Sequence, residues 1–460
     1  MNRSIQHTVI AVTAAVLLAP LAALRAAAPT KPQAKPKVIV AADKVDCSTL
    51  EKKVLFGYQG WFDCPSPGGR RANWSHWARG TPSAETLVID MYPDLSEFAT
   101  ADLGAVPGMT IGNKPAYLYS ARNPQVVARH FRWMKEYGLD GVLVQRFIGS
   151  TVRAQAEGDV VLRNIMAAAG ETGRTFAIEY DISGGKEENL AKLLRDDWRY
   201  LVDVVKVTSH PNYLHHKGKP LVSVWGMGLR DVDKHPPVRP EDAGRIVEWF
   251  QSSAPLKYRV TYMGGTPARW RTLKNDAAAD PGWNAVYRAM DVIQPWTVGR
   301  YRTNGEADRW RKDVIEPDLA KLRKSSQVYM PVIFPGFSWH NLNRDAPQNA
   351  IPRNRGEFLW KQAYNARAAG ATVLKIAMFD EVNEGTAMFK LASKRKDAPD
   401  QGFWLTLDAD GHDLPSDWYL RLAGEITRTF HGKIPATAAM PDKPGPPWKQ
   451  HRVGITVTNE

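Results

Sequence analysis

Cysteine is nearly missing from this chain: 460 residues carry two, Cys47 and Cys64. Neither has the CxxC spacing of a zinc or redox site, and no HExxH occurs. His210, His215 and His216 fall in a Pro/Gly/Lys-rich stretch and fit no ligand spacing, so no metal and no cofactor are expected. The glycine fingerprints of nucleotide sites are absent too. Gly226-Met227-Gly228 lacks its third glycine, and no GxxxxGK[ST] is found, which counts against a doubly wound nucleotide-binding sheet. Long apolar runs are confined to the first residues, where Val9 to Leu24 is interrupted by Pro20. With Arg3 before it and Ala26-Ala27-Ala28 after it, this stretch has the three regions of a secretory signal peptide over residues 1–28. No later segment is long and apolar enough to span a bilayer. A periplasmic or secreted protein with no stable membrane anchor after cleavage is expected.

In such an oxidising compartment an isolated cysteine pair invites a disulfide, here between Cys47 and Cys64, with two buried free thiols as the alternative. The formal net charge of +13 raises the question of a nucleic-acid partner. Lysines and arginines, however, are scattered among acids in helical patterns (Arg129, Arg132, Lys135; Arg309, Arg311, Lys312) and form no stripe. They read as solvated outer faces, and no nucleic acid is expected.

From Val54 to Phe430, short apolar stretches alternate with amphipathic helical ones. Strands are predicted at Val54–Tyr58, Gly141–Gln145, Phe176–Tyr180, Leu221–Trp225, Tyr258–Tyr262, Val292–Gln294, Met330–Ile333 and Val373–Met378. Helical periodicity follows each, as in Gln125–Tyr137, Glu187–Leu201, Glu357–Ala369 and Ser416–Phe430. Eight strand–helix units predict an α/β fold of the (β/α)8 barrel type over residues 51–432. A Pro/Lys/Ala-rich lead-in (29–50) and a Pro-rich tail (433–460) flank it and are expected to be extended. The connection after the first strand runs from Trp61 to about Gln125, long enough to suggest a functional insertion over the barrel mouth.

Chemistry in a barrel belongs at the C-terminal strand ends. Those ends bring Trp61, Gln145, Arg146, Tyr180, Trp225, Tyr262, Trp296, Trp339 and His340 into one expected pocket. Flat aromatic faces with hydrogen-bonding groups between them suit sugars, which offer apolar C–H faces and hydroxyl edges. After the last strand comes Phe379-Asp380-Glu381-Val382-Asn383-Glu384-Gly385-Thr386, three carboxylates in a tight turn. Glu381 and Glu384 are three apart, so on a helical turn their Cβ atoms lie roughly 5–6 Å apart. Retaining glycosidases need two carboxyls about 5–5.5 Å apart. The same acids would also suit a plain helix N-terminus, with Asp380 as its cap.

That acidic turn resembles the Asn-Glu-Trp-His-Glu-Gly-Thr segment of the endo-α-mannosidase family of glycoside hydrolases, family 99. Gly57-Tyr58-Gln59-Gly60-Trp61-Phe62 resembles the family's opening aromatic strand, and Gly336-Phe337-Ser338-Trp339-His340-Asn341 the segment before its last strand. The likeness spans most of residues 50–430 and is greatest for bacterial proteins grouped as family 71/99-like. It implies Glu381 as the base on a sugar 2-hydroxyl and Glu384 as the acid on the leaving oxygen, with retention through a 1,2-anhydro sugar. Asp380 would help bind or tune the pair. The chain departs from the motif where Trp-His becomes Val382-Asn383, which removes a ring and an imidazole beside the acids and leaves the sugar open.

The sequence thus reads as a metal-independent glycosidase acting on an oligo- or polysaccharide. A non-catalytic carbohydrate-binding barrel is the alternative, and another hydrolase or lyase of cell-surface polymers a third. If Glu384 is the acid, the charges of Glu381 and Asp380 should keep it protonated while Glu381 stays ionised.

Overall fold

The computed structural model describes residues 44–70, 73–184, 187–230 and 238–445. The expected signal peptide (1–28), most of the lead-in and the last part of the tail lie outside the described residues. The barrel strands are β1 (Val54–Tyr58), β2 (Gly141–Phe147), β3 (Thr175–Asp181), β4 (Lys219–Trp225), β5 (Thr261–Thr266) and β6 (Val292–Pro295), then β7 in two pieces (Val328–Tyr329 and Val332–Ile333) and β8 (Leu374–Ile376). All neighbours pair in parallel. Pro331, with no N–H to give, separates the pieces of β7. The first piece pairs with β6 (Val328↔Val292) and the second with β8 (Val332↔Lys375), while β8 pairs with β1. The interrupted strand therefore carries the ring to closure. The chain is a (β/α)8 barrel.

Helices follow each strand, beginning with Pro124–Glu136, Ile148–Thr172 and Glu187–Tyr200 and ending with Trp418–Phe430. Local chemistry sets their starts. Asn123 accepts from the Gln125 N–H ahead of Pro124, and Thr303 and Glu306 form a reciprocal capping box, satisfying N–H groups that have no partner inside the helix.

One strand sits later than expected. Leu256–Tyr258 form a 3-10 turn, and β5 runs over Thr261–Thr266. Gly264-Gly265 lies inside this strand, and both glycines are needed. A Cβ on Gly264 would lie 2.1 Å from Met290 Sδ, and one on Gly265 would lie 2.7 Å from Trp225 Cα.

The insertion after β1 packs against the rim of the barrel. It contains a hairpin, Gly104–Ile111 with Lys114–Leu118, turned by Gly112 and Asn113 at positive φ. A two-residue turn with φ > 0 at both positions matches the twist of a hairpin. Leu87–Tyr92, which reads as strand-like, makes only an isolated bridge (Ala78↔Leu87) and a buried path. The described ends of the lead-in and tail are fastened, not loose. Val45 N–H bonds Gly173 O, and Trp360 Nε1 donates to Thr437 O at 3.0 Å.

The Cys47–Cys64 bridge is not formed, and both thiols are free. Cys47 lies below the barrel, where its carbonyl accepts from His215 N–H. Cys64 is buried beyond the far end of β1, with its thiol against Leu118 O. A strand stands between them, and at about 3.3 Å per residue its five residues put them beyond bridging reach.

Candidate active site

Beyond β8 the acidic segment closes on itself and starts no helix, so the reading of its acids as a helix N-terminus does not apply. Thr386 N–H donates to Glu381 O at 3.1 Å, and Gly385 sits at φ +63°, where a Cβ would lie 2.8 Å from Ser338 N. Three loops brace this turn. Ser338 N–H bonds Glu384 O (3.0 Å), and Asp90 and Met91 N–H both bond Val382 O. Buried Arg353 donates from Nη2 to Gly385 O (2.8 Å) and Ala387 O (2.7 Å). The Asp90 carboxylate in turn accepts from the Ser338 hydroxyl (2.5 Å), His340 N–H (2.8 Å) and Asn341 N–H (2.7 Å).

Burial decides the charge of the acids. Asp380 is buried and accepts Gln59 N–H (2.8 Å) and Gly60 N–H (2.9 Å), one on each oxygen. Desolvation nevertheless pushes its pKa up to about 6. Glu381 is 4% exposed. Desolvation raises it well above the usual carboxylate range, and the nearby charges of Glu384 and Asp380 add to this. Hydrogen bonds from Gln59 Nε2 (3.1 Å) and Thr386 Oγ1 (3.4 Å) work against it. The sequence reading has Glu381 staying ionised, and burial opposes that. Glu381 is the group driven to hold a proton, while Glu384 stands half-buried in the wall.

Both glutamates line a cleft of about 1160 Å³ at the C-terminal end of the barrel. That exceeds the roughly 300–1,000 Å³ of a typical small-molecule pocket and leaves room for several sugar units. Trp61, Gln145, Trp225, Trp296 and Trp339 share it, as the sequence predicts, joined by Gln59, Phe147, Asp181, Phe337 and Lys375. Trp61 stacks between His76 of the insertion (4.1 Å between rings) and Phe147 (5.2 Å). Trp225 meets Trp296 edge-on at 5.5 Å. Gln59 Oε1 and Trp61 Nε1 are buried here without a protein partner among the described residues, so both can serve a ligand hydroxyl. The Asp181 carboxyl, accepting Ser183 N–H at 2.7 Å, is pushed up to about 6 by burial.

Five expected pocket residues point elsewhere. Arg146 and Tyr180 occupy the helix-facing parity of β2 and β3. Arg146 pairs with Asp197 (2.6 Å) and Asp159 (3.2 Å), and Tyr180 OH donates to Asp197 at 2.7 Å. Side chains alternate across a strand, so the cleft receives their neighbours Gln145 and Asp181 instead. Tyr262 lies low on the shifted β5 with its hydroxyl against Met227 Sδ. His340 turns its Nδ1 toward Ala346 O (2.8 Å) and packs edge-on to Phe403. Asp380 sits beneath the cleft, holding the end of β1. Gln59 is the residue the strand-end reading missed, and strict two-residue parity from Gly57 finds it. Among the described residues no group of three His, Cys, Asp or Glu side chains is placed to hold a metal, and no helix is long and apolar enough to cross a membrane.

No protein-family model and no curated protein matches this chain. Solved structures do. Two structures of the GH99 endo-α-mannosidase from Bacteroides thetaiotaomicron, one in complex with bis-tris-propane, superpose with a TM-score of 0.60 at 17% identity, covering 84% of this chain and 99% of theirs. A glycoside hydrolase-like protein follows with a TM-score of 0.50 at 15% identity, covering 83% of this chain and 96% of its own. At these identities the likeness is one of architecture. The chain carries the (β/α)8 fold of the GH99 endo-α-mannosidase structures over nearly their whole length.

Proposed function

We propose that this protein is an exported glycoside hydrolase that cuts an oligo- or polysaccharide with Glu381 and Glu384. One observation carries the reading: two neighbouring carboxyls of unequal burial share a large cleft whose walls are half-exposed aromatic faces. In the first step Glu381 takes the proton of a sugar 2-hydroxyl and that oxygen attacks the anomeric carbon. The bond to the leaving oxygen breaks as Glu384 protonates it. Water then opens the 1,2-anhydro ring, with Glu384 accepting its proton and Glu381 returning one to the 2-oxygen. Configuration is retained. A carboxylate that must deprotonate a hydroxyl works better the higher its pKa, provided it is ionised, so the raised Glu381 suits the base. kcat/KM should then climb with pH through the ionisation of Glu381, and a fall over that range would make Glu381 the proton donor. Export rests on the N-terminal sequence alone.

The test is reducing-end release across α- and β-linked glycans. Glu384→Gln should cripple substrates with poor leaving groups and spare activated aryl glycosides, whereas Glu381→Gln should cripple both, each by about 10²–10⁴-fold. Near-normal turnover in either folded variant would refute the assignment and favour a carbohydrate-binding barrel.

A further inference from the structure

The cleft wall facing the glutamates is basic. Arg230, Arg269 and Arg300 line it beyond the ends of β4, β5 and β6. In a closed ring of eight strands, β4 stands across from β8, which delivers Glu381 and Glu384. Among the described residues one acid, Asp276, lies between these arginines, with Asp181 at the end of β3 beside them, and the Asp276 carboxylate is largely taken. It accepts Ala268 N–H (2.9 Å) and Arg269 N–H (3.1 Å) and pairs with Arg300 Nη2 at 3.2 Å. Among the described residues three guanidiniums stand against these two carboxyls, so the wall is net positive. Among the described residues neither Arg230 nor Arg269 has an ion-pair partner. The guanidinium carbon of Arg269 lies 4.7 Å from the Trp310 ring centre, and such stacking holds the plane while leaving the N–H fork open. That fork matches two oxygens of a carboxylate or a sulfate.

We infer that the cleft takes an anionic glycan. A sugar bearing a carboxylate or a sulfate ester sits against Arg230, Arg269 and Arg300, and a neighbouring linkage lies at Glu381 and Glu384. The opposed charges fix the direction of the chain in the cleft. An anionic group at the acidic turn meets Glu381 and Glu384, and the same group at the arginine wall meets cations. What is cut rests on the glycosidase reading; what is bound does not.

The experiment is calorimetric binding to the full chain carrying Glu384→Gln, which removes turnover from the measurement. Four probes are used: tetragalacturonate, its methyl ester, a sulfated galactotetraose and its desulfated form. At low salt at least one charged probe should bind roughly tenfold more tightly than its neutral counterpart, and the gap should shrink in 0.5 M salt, on the order of a 4 Å screening length. Whether carboxylate or sulfate wins names the source of the charge. Adding Arg269→Gln with Arg300→Gln, or Arg230→Gln alone on its exposed position, should narrow the gap and leave the neutral probe's Kd in place. Equal binding of charged and neutral probes, no binding of either charged probe, or a preference that survives all these substitutions overturns the inference. A charge preference in a protein that hydrolyses no glycan would sink the glycosidase reading and leave this one standing.

Discussion

Replacing Glu381 by Gln should make the protein more stable as well as inactive. The substitution keeps the local hydrogen bonds: the amide oxygen can accept from Gln59 Nε2, and the amide NH2 can donate to the Thr386 hydroxyl, which lie 3.1 and 3.4 Å from the native carboxyl oxygens. What it removes is an ionisation that the fold opposes. A glutamate in the unfolded chain ionises near pH ~4.3, whereas burial, Glu384 and Asp380 hold Glu381 protonated to well above that. Between those two points the folded state binds more protons than the unfolded one, so stability falls as pH rises and levels off above the folded ionisation. Each pH unit in the interval is worth about 1.4 kcal/mol. Glu381→Gln lacks this slope. Its advantage should be near zero below the unfolded ionisation and should grow with pH through the folded ionisation of Glu381, a trade of stability for function. Urea unfolding at pH 4.5, 6 and 8, followed by tryptophan fluorescence, measures it. Parallel stability curves for the two proteins, or a variant weaker than the parent at pH 8, would refute the raised ionisation.

Neighbouring residues on β2 should fail in different ways. Gln145→Ala should lower kcat/KM and cost the one hydrogen bond to Glu179, whereas Arg146→Ala should cost more, about 3–5 kcal/mol in unfolding, because it strands the buried Asp197 and Asp159 carboxylates. Asp380→Asn should destabilise by about 1–3 kcal/mol, since an amide can accept only one of the two N–H groups of Gln59 and Gly60; equal melting of variant and parent would count against that bracing role. Thiol titration should find two reactive groups in denaturant. In the native protein Cys64, buried and pushed up to about 12, should react far more slowly than half-buried Cys47.

The barrel was legible because each strand is a short apolar run and each helix a longer periodic one. The faces of the strands were harder. Gln145 and Arg146, or Tyr180 and Asp181, are equally good sugar-binding residues by type, and only parity across the ring separates them. Parity itself depends on where a strand begins. Gly264-Gly265 hid the upper half of β5, so Tyr262 was read at a mouth from which it is several residues removed. The cysteines misled for another reason. Their seventeen-residue spacing permits a bridge in a flexible chain, but β1 holds the two ends apart. Protonation was the least visible property. Spacing puts Glu381 and Glu384 together and says nothing of which one the Gln59 and Thr386 side chains enclose.

The polar floor beneath the cleft carries a cation that could have lowered the Glu381 ionisation further. Lys375, a fully buried cation, stands on β8 only six residues before it, and an unpaired ammonium there would favour the carboxylate form. Glu179 binds that ammonium at 2.5 Å and also accepts from Gln145 Nε2 and Ser223 Oγ, so one carboxylate ties β2, β3, β4 and β8 together. Lys375 reaches Gln294 Oε1 as well, at 3.3 Å. Well-packed apolar residues in such a place are often as stabilising as a buried pair or more so, which makes the pair a poor device for stability alone. Its geometric effect is to fix the Gln145 amide at the cleft wall. Its electrostatic effect is to set a carboxylate against the positive charge at the floor. Burial and the other acids of the turn raise the proton affinity of Glu381 against the hydrogen bonds of Gln59 and Thr386, while Arg230 and Arg269, without an ion-pair partner among the described residues, stand across the mouth.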